Sequence, residues 1–127
     1  MAESERWCFV EDGRETEIAE GVGTIALELC RWPEPFGALL APPGNGVLLS
    51  GVGTSIKAHA PSTEVIGVCA EEASVMAFSL REGVAKTTER LDTITDGITV
   101  SVPAEETLSD LAGMVGDIFL VGDGAMV

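Results

Sequence analysis

Short apolar runs alternate along this chain with longer stretches of helical period. Trp7 to Val10 predicts a first strand, closed by the turn Glu11-Asp12-Gly13. Thr24 to Arg31 predicts a helix, with Gly21-Val22-Gly23 before it, Thr24 as its cap and Pro33 as its stop. Gly37 to Ala41 is a continuous apolar run, which predicts a strand buried on both faces. After Pro42-Pro43-Gly44-Asn45-Gly46 a helix is expected over Val47–His59, with Leu48, Val52 and Ile56 along one face. Gly51 and Gly53 would let that helix lie close on a sheet.

Glu64 to Cys69 predicts another strand buried on both faces, and Glu71 to Arg81 a helix with Gly83 as its C-cap. Val84 to Asp92 has no clear period and reads as loop, and Ile98 to Val102 as a short extended segment. Pro103 suits a helix start, with Leu108, Leu111 and Val115 as the apolar stripe, and Ile118 to Val121 predicts a last strand. Strands alternating with helices imply crossover units on a parallel sheet. The fold class is α/β. The expected architecture is a three-layer α/β/α Rossmann-like sheet, a single domain over residues 1–127. The chain stops just after a strand, so either the sheet is small or this is a piece of something larger.

Composition narrows the function classes. No apolar run approaches the roughly 20 residues that cross a bilayer, and Met1 to Arg6 lacks the pattern of a secretory signal. Seven Lys and Arg against 21 Asp and Glu give a net charge of −14. Scattered cations in such a chain make no patch for nucleic acid. Any phosphate held here must be held mostly by backbone amides. Cys8, Cys30 and Cys69 form no C-x-x-C pair, so the reading is reduced thiols in a cytoplasmic protein. His59 is the only histidine, and no cluster at ligand spacing suggests a metal. Its place near a helix end makes His59 an ordinary solvent-side residue rather than a catalytic base.

The most informative stretch is Ala41 to Gly51. It joins a strand to a helix at the carboxyl end of the strand, where open α/β sheets place ligands. Glycine and asparagine tolerate positive φ, so successive amides can form an anion nest in front of the helix N-terminus. The alternative is that the glycines merely make a tight turn. Leu49 stands where the third glycine of a dinucleotide fingerprint would fall, and no G-K-[ST] follows.

Pro42-Pro43-Gly44-Asn45-Gly46-Val47-Leu48-Leu49-Ser50-Gly51 resembles the P-x-G-G-G-G-L-x-[SA]-G loop of the serine/threonine dehydratase and serine racemase group. These are pyridoxal-phosphate enzymes of fold type II, the tryptophan synthase β-like group. Glu20 to Glu28 resembles the A-G-Q-G-T-I-A-L-E helix start of that group, Val65 to Val68 its V-I-G-V strand, and Thr93 to Ile98 its T-I-A-D-G-I segment. Asp117 to Val121 is similar to its D-x-x-x-V strand. The motifs stand in family order from Trp7 onward.

The resemblance implies that Gly44, Asn45, Gly46 and Val47 hold the cofactor phosphate through their amides, and that Asp96 and Gly97 pass beside the pyridine ring. Pyridoxal 5'-phosphate is the implied cofactor, and an amino acid the implied substrate. Asn45 and Val47 replace two of the four glycines. Some relatives bind a cation through acidic residues at the places of Cys69 and Val75, so no metal site is carried over. The S-F-K-x-R-G motif with its Schiff-base lysine, the S-x-G-N-H loop and the residue paired with the pyridine nitrogen do not occur in this sequence. Ser55-Ile56-Lys57 imitates the lysine motif only superficially, and Lys86 lies in the irregular stretch. No residue of this chain is therefore assigned a catalytic role.

Three readings stay open at this point. The chain is the central fragment of a threonine or serine ammonia-lyase, inactive alone; or a non-catalytic module for a phosphorylated metabolite; or a truncated structural remnant. Strands meant for burial on both faces lead to the expectation that the isolated chain associates with itself. No nucleic-acid or membrane partner is expected.

Overall fold

The computed structural model describes residues 7–89 and 91–127; Met1 to Arg6 and Arg90 lie outside the described residues. Helices α1 (Thr16–Val22) and α2 (Thr24–Leu29) come first, then strand β1 (Ala38–Ala41) and helix α3 (Val47–His59). Strand β2 (Glu64–Ala70), helix α4 (Val75–Glu82), helix α5 (Glu105–Leu111) and strand β3 (Asp117–Val121) complete the chain. The three strands form one parallel sheet in the order β1-β2-β3. The α/β class and the parallel sheet with crossover helices are as the sequence implies.

The register explains which face is covered. Leu39 pairs with Val65, Ala41 with Gly67, Gly67 with Ile118 and Cys69 with Leu120, so these side chains share one face. Leu49, Val52 and Ile56 from α3, Met76 and Ala77 from α4, and Leu108 and Leu111 from α5 pack against that face as one core. Two crossovers of the same hand that progress in one direction across a sheet place their helices on the same side. The third layer of the expected three-layer arrangement is therefore not formed by the described residues. The opposite face carries Leu40, Ile66, Val68 and Phe119; Leu40 is 62% and Phe119 52% exposed. The apolar composition of β1 and β2 does suit burial on both faces, but the described residues cover only one.

Several local expectations need correction. Trp7 to Val10 form no strand, and Trp7 is 73% exposed. A β-favouring run becomes a strand only where a partner supplies the ladder, and none of the described strands does so. Ile98 to Val102 form no strand either; a single 3-10 turn, Asp96–Ile98, stands at its start. The α3 stripe is Leu49, Val52 and Ile56, with Leu48 only partly buried. Val115 packs on the core from beyond the end of α5, where Gly113 takes φ +73°. Gly83 ends α4 in the left-handed conformation, as expected.

Helix α1 is the element that the sequence reading lacks. Gly21 and Gly23 weigh against a helix by propensity, yet close packing requires a small residue at Gly23, where a Cβ would stand 2.6 Å from Ser55 Oγ and 3.1 Å from the Gly51 carbonyl oxygen. A Cβ on Gly51 would stand 2.1 Å from the Ala19 carbonyl oxygen, so this glycine admits the backbone of α1 rather than the sheet. Gly53 instead makes room for Met114. Thr24 does not cap α2: its hydroxyl donates back to the Gly21 carbonyl, 2.7 Å away.

Candidate functional site

The glycine loop lies between the end of β1 at Ala41 and the start of α3 at Val47. Pro43 is fully buried beneath it, and its carbonyl accepts the Gly46 N–H at 2.6 Å, closing a tight turn. Gly44 and Gly46 take φ of +52° and +102°, conformations that disfavour L side chains. Gly46 is the N-cap of α3, and its carbonyl accepts from Ser50 N–H at 2.8 Å. The Asn45 side chain turns onto its own loop, where Oδ1 accepts the Val47 N–H at 3.3 Å.

These bonds sort the four expected phosphate ligands. The N–H groups of Gly46 and Val47 already have acceptors within the turn. Those of Gly44 and Asn45 make no hydrogen bond to another described residue. Both residues are half-buried, and their amides stand in front of a helix of 13 residues whose first-turn amides add partial positive charge.

The second predicted segment comes to the same place. Asp96 and Gly97 form the exposed 3-10 turn Asp96–Ile98, and the position of a Cβ on Gly44 lies 4.0 Å from the Ile98 carbonyl oxygen. The loop and this turn, 52 residues apart in sequence between Gly44 and Asp96, thus border one another. Sequence reading missed what holds the turn there. The carboxylate of Asp123, just beyond β3, accepts the Thr93 hydroxyl at 2.6 Å on Oδ1 and the Ile94 N–H at 2.9 Å on Oδ2. It also missed Thr107 of α5, which packs on Gly46 and donates to the Gly13 carbonyl at 3.0 Å. The Gly122-Asp123-Gly124 sequence after a strand was the available signal for the former. No sequence signal marks the latter.

The other candidate groups lie elsewhere. Lys57 is exposed on α3 and donates to the Gly113 carbonyl, and Lys86 pairs with Glu82 at 2.6 Å. His59 is exposed, and its Nδ1 donates to the Ser55 carbonyl at 2.9 Å, since a carbonyl oxygen only accepts. Cys69 and Val75 are both core residues. Burial pushes the Cys69 thiol above its ordinary pKa, partly offset by a backbone hydrogen bond from Ala77. Among the described residues, no helix is long and apolar enough to cross a membrane.

The family profile described as "Pyridoxal-phosphate dependent enzyme" matches residues 1–127. The chain belongs to the pyridoxal-phosphate dependent enzyme family. It is 32% identical over 126 residues to a threonine dehydratase of Nicotiana attenuata, covering 99% of this chain and 21% of that protein. It is 36% identical over 124 residues to a biosynthetic L-threonine dehydratase of Bacillus subtilis, with 96% and 29% covered. Among solved structures it resembles a threonine deaminase of T.th., with a TM-score of 0.92, 32% identity, and 98% of this chain and 46% of that one covered. Maize serine racemase gives a TM-score of 0.91 at 26% identity, with 98% and 39% covered. The chain spans about a fifth to somewhat under half the length of these relatives.

The loop fits the cofactor's phosphate end in part. Two amides remain open at a helix N-terminus, and the position of a Cβ on Gly44 is 4.0 Å from the Ile98 carbonyl oxygen. Two of the amides that the family pattern assigns to phosphate are instead used by the loop itself.

Proposed function

We propose that this chain supplies the phosphate cradle and part of the ring-side wall of a pyridoxal-phosphate enzyme acting on threonine or serine as an ammonia-lyase. Pyridoxal phosphate, when bound, supplies an electron sink for amino-acid chemistry. The residues of this chain would bind and orient it. The Gly44 and Asn45 amides receive phosphate oxygens, the N-terminus of α3 favours their charge, and the Asp96–Ile98 turn flanks the ring. The carrying observation is the meeting of the Gly44 loop and the Ile98 carbonyl at the carboxyl end of β1. Gly46 and Val47 act in this reading by shaping the loop and starting the helix, rather than by donating their own amides.

Lys57 and Lys86 both have other partners, so the chain by itself binds without a covalent link and catalyses nothing. That pairing also favours a second reading, a binding module for a phosphorylated metabolite. The setting we propose is the cytoplasm, in keeping with three free cysteines, without nucleic-acid or membrane partners, given the net charge of −14. Self-association through the uncovered sheet face belongs to the same proposal.

Gly44 offers the test. Asn and Asp both tolerate left-handed backbone and have equal bulk, but only Asp repels a phosphate. Gly44→Asp should abolish binding of inorganic phosphate and pyridoxal phosphate, as read by calorimetry, while Gly44→Asn retains folding and part of the affinity. Equal affinity in Gly44→Asp and the parent chain would refute the site.

A further inference from the structure

A hydrogen-bonded path runs from the end of β3 to the glycine loop. Asp123 stands two residues beyond Val121, the last residue of β3, in the 3-10 turn Asp123–Ala125. Its two carboxylate oxygens hold Thr93 Oγ1 at 2.6 Å and the Ile94 N–H at 2.9 Å. Thr93 Oγ1 in turn accepts the Thr95 N–H at 3.3 Å and lies 3.1 Å from Thr95 Oγ1. The Thr95 carbonyl accepts the Ile98 N–H at 3.2 Å and the Thr99 hydroxyl at 2.9 Å, and that hydroxyl also lies 2.8 Å from the Asp96 carbonyl. The Ile98 carbonyl is the group that faces Gly44.

We infer that Asp123 is a positioning residue, which fixes the Asp96–Ile98 turn against Gly44 and so sets the distance between the turn and the glycine loop. Among its described residues the segment from Val84 to Thr95 has no helix or strand; backbone bonds to Ser79 and Ser101 hold its first half, from Val84 and Thr88, while the Asp123 carboxylate holds its end at Thr93 and Ile94. A carboxylate bridging a hydroxyl and a backbone N–H thirty residues away does this with charge-assisted bonds at both oxygens. Thr95 adds a hydroxyl where the T-I-A-D-G-I segment of the family has alanine, and that hydroxyl joins the same cluster. The inference rests on the cofactor reading for its ligand, but not for its geometry.

Amide hydrogen exchange separates the two. In Asp123→Ala, exchange at the Ile98 and Thr99 amides should rise about tenfold, the effect of losing a hydrogen bond to a charged group. These amides do not contact Asp123 directly, so the rise reports transmission along the path. Exchange at Ile56 in α3 should stay unchanged. Thr93→Val should reproduce the rise and Thr93→Ser should not, because serine keeps the hydroxyl. Pyridoxal phosphate affinity should fall several-fold in Asp123→Ala, with inorganic phosphate affinity unaffected, since the turn flanks the ring and the loop holds the phosphate. Unchanged exchange at Ile98 and Thr99 overturns the inference, as does equal pyridoxal phosphate affinity in parent and variant. If the parent binds neither probe, the cofactor reading falls, and the exchange pattern alone then decides whether Asp123 is a clamp.

Discussion

Thr107 occupies the space that any side chain at Gly46 would need. A Cβ built on Gly46 stands 1.8 Å from Thr107 Cγ2 and 3.3 Å from Leu111 Cδ1. The same residue has φ +102°, so glycine is required twice over: by its own backbone and by helix α5 packed on it. The Thr107 hydroxyl is itself committed to the Gly13 carbonyl, so the methyl cannot simply rotate away without losing that bond.

Gly46→Ala should therefore destabilise the fold rather than act on ligand binding alone. Left-handed backbone for an L residue costs about 1–2 kcal/mol, and overpacking a filled site about 1–3 kcal/mol more. Thr107→Ser removes the obstructing methyl and keeps the hydroxyl bond. In urea unfolding the double variant should recover the packing part of the loss and not the backbone part. A Gly46→Ala protein as stable as its parent would show that the α3–α5 contact is looser than this.

What the sequence disclosed follows from where the determining contacts lie. Val47–His59 was legible because an apolar stripe and a Gly46 start are local signals. Helix α1 was not, because Gly21 and Gly23 look like breakers until Gly51 and Ala19 are seen to approach across two helices. The glycine loop and the Asp96-Gly97 segment were found by family pattern, and their adjacency through Ile98 is a tertiary fact. The allotment of amides was not legible either. It depends on Asn45 folding onto Val47, which no glycine pattern encodes.

Borohydride treatment of the chain with pyridoxal phosphate should fix no cofactor selectively to Lys57 or Lys86. Lys57 donates to the Gly113 carbonyl, and Lys86 forms an i,i+4 pair with Glu82. Both side chains are exposed, so neither has the desolvated setting that makes a lysine a good nucleophile. Purified 127-residue chain should not deaminate threonine. Selective, stoichiometric labelling of one lysine, seen by peptide mass mapping, would contradict this.

Thiol reactivity should divide the cysteines. Cys8 and Cys30 are exposed and should react with a thiol reagent in the native state, while Cys69 should require unfolding. Burial raises the Cys69 pKa, so the native state holds its proton more tightly than the unfolded chain. Its contribution to stability is then complete below the ordinary thiol range and is lost as pH rises through the raised native value. Cys69→Ala should flatten the alkaline fall in unfolding free energy relative to the parent, though it lowers stability at neutral pH by removing a buried sulfur. An identical alkaline slope in both proteins would remove Cys69 as its source.

The uncovered face of the sheet should drive self-association. Leu40 and Ile66 are register partners on that face, as are Val68 and Phe119, so the four form a contiguous apolar strip across all three strands. Leu40 and Phe119 are more than half exposed. The outer edges of β1 and β3 also lack a strand neighbour among the described residues. Against association stands the net charge of −14, a repulsion that salt screens over about 8 Å at physiological ionic strength. Burial acts at contact while the charge is spread over the surface, so raising salt removes most of the repulsion and leaves the apolar gain. Each exposed Leu or Phe newly buried contributes about 1.5–3 kcal/mol. Light scattering should accordingly show dimers or larger species that increase from low to physiological salt. Leu40→Glu with Phe119→Glu should return the chain to monomer, because it places like charges across the strip without touching the core on the other face. A parent chain that stays monomeric in physiological salt, or a double variant that associates as strongly as the parent, would take the sheet face out of the explanation.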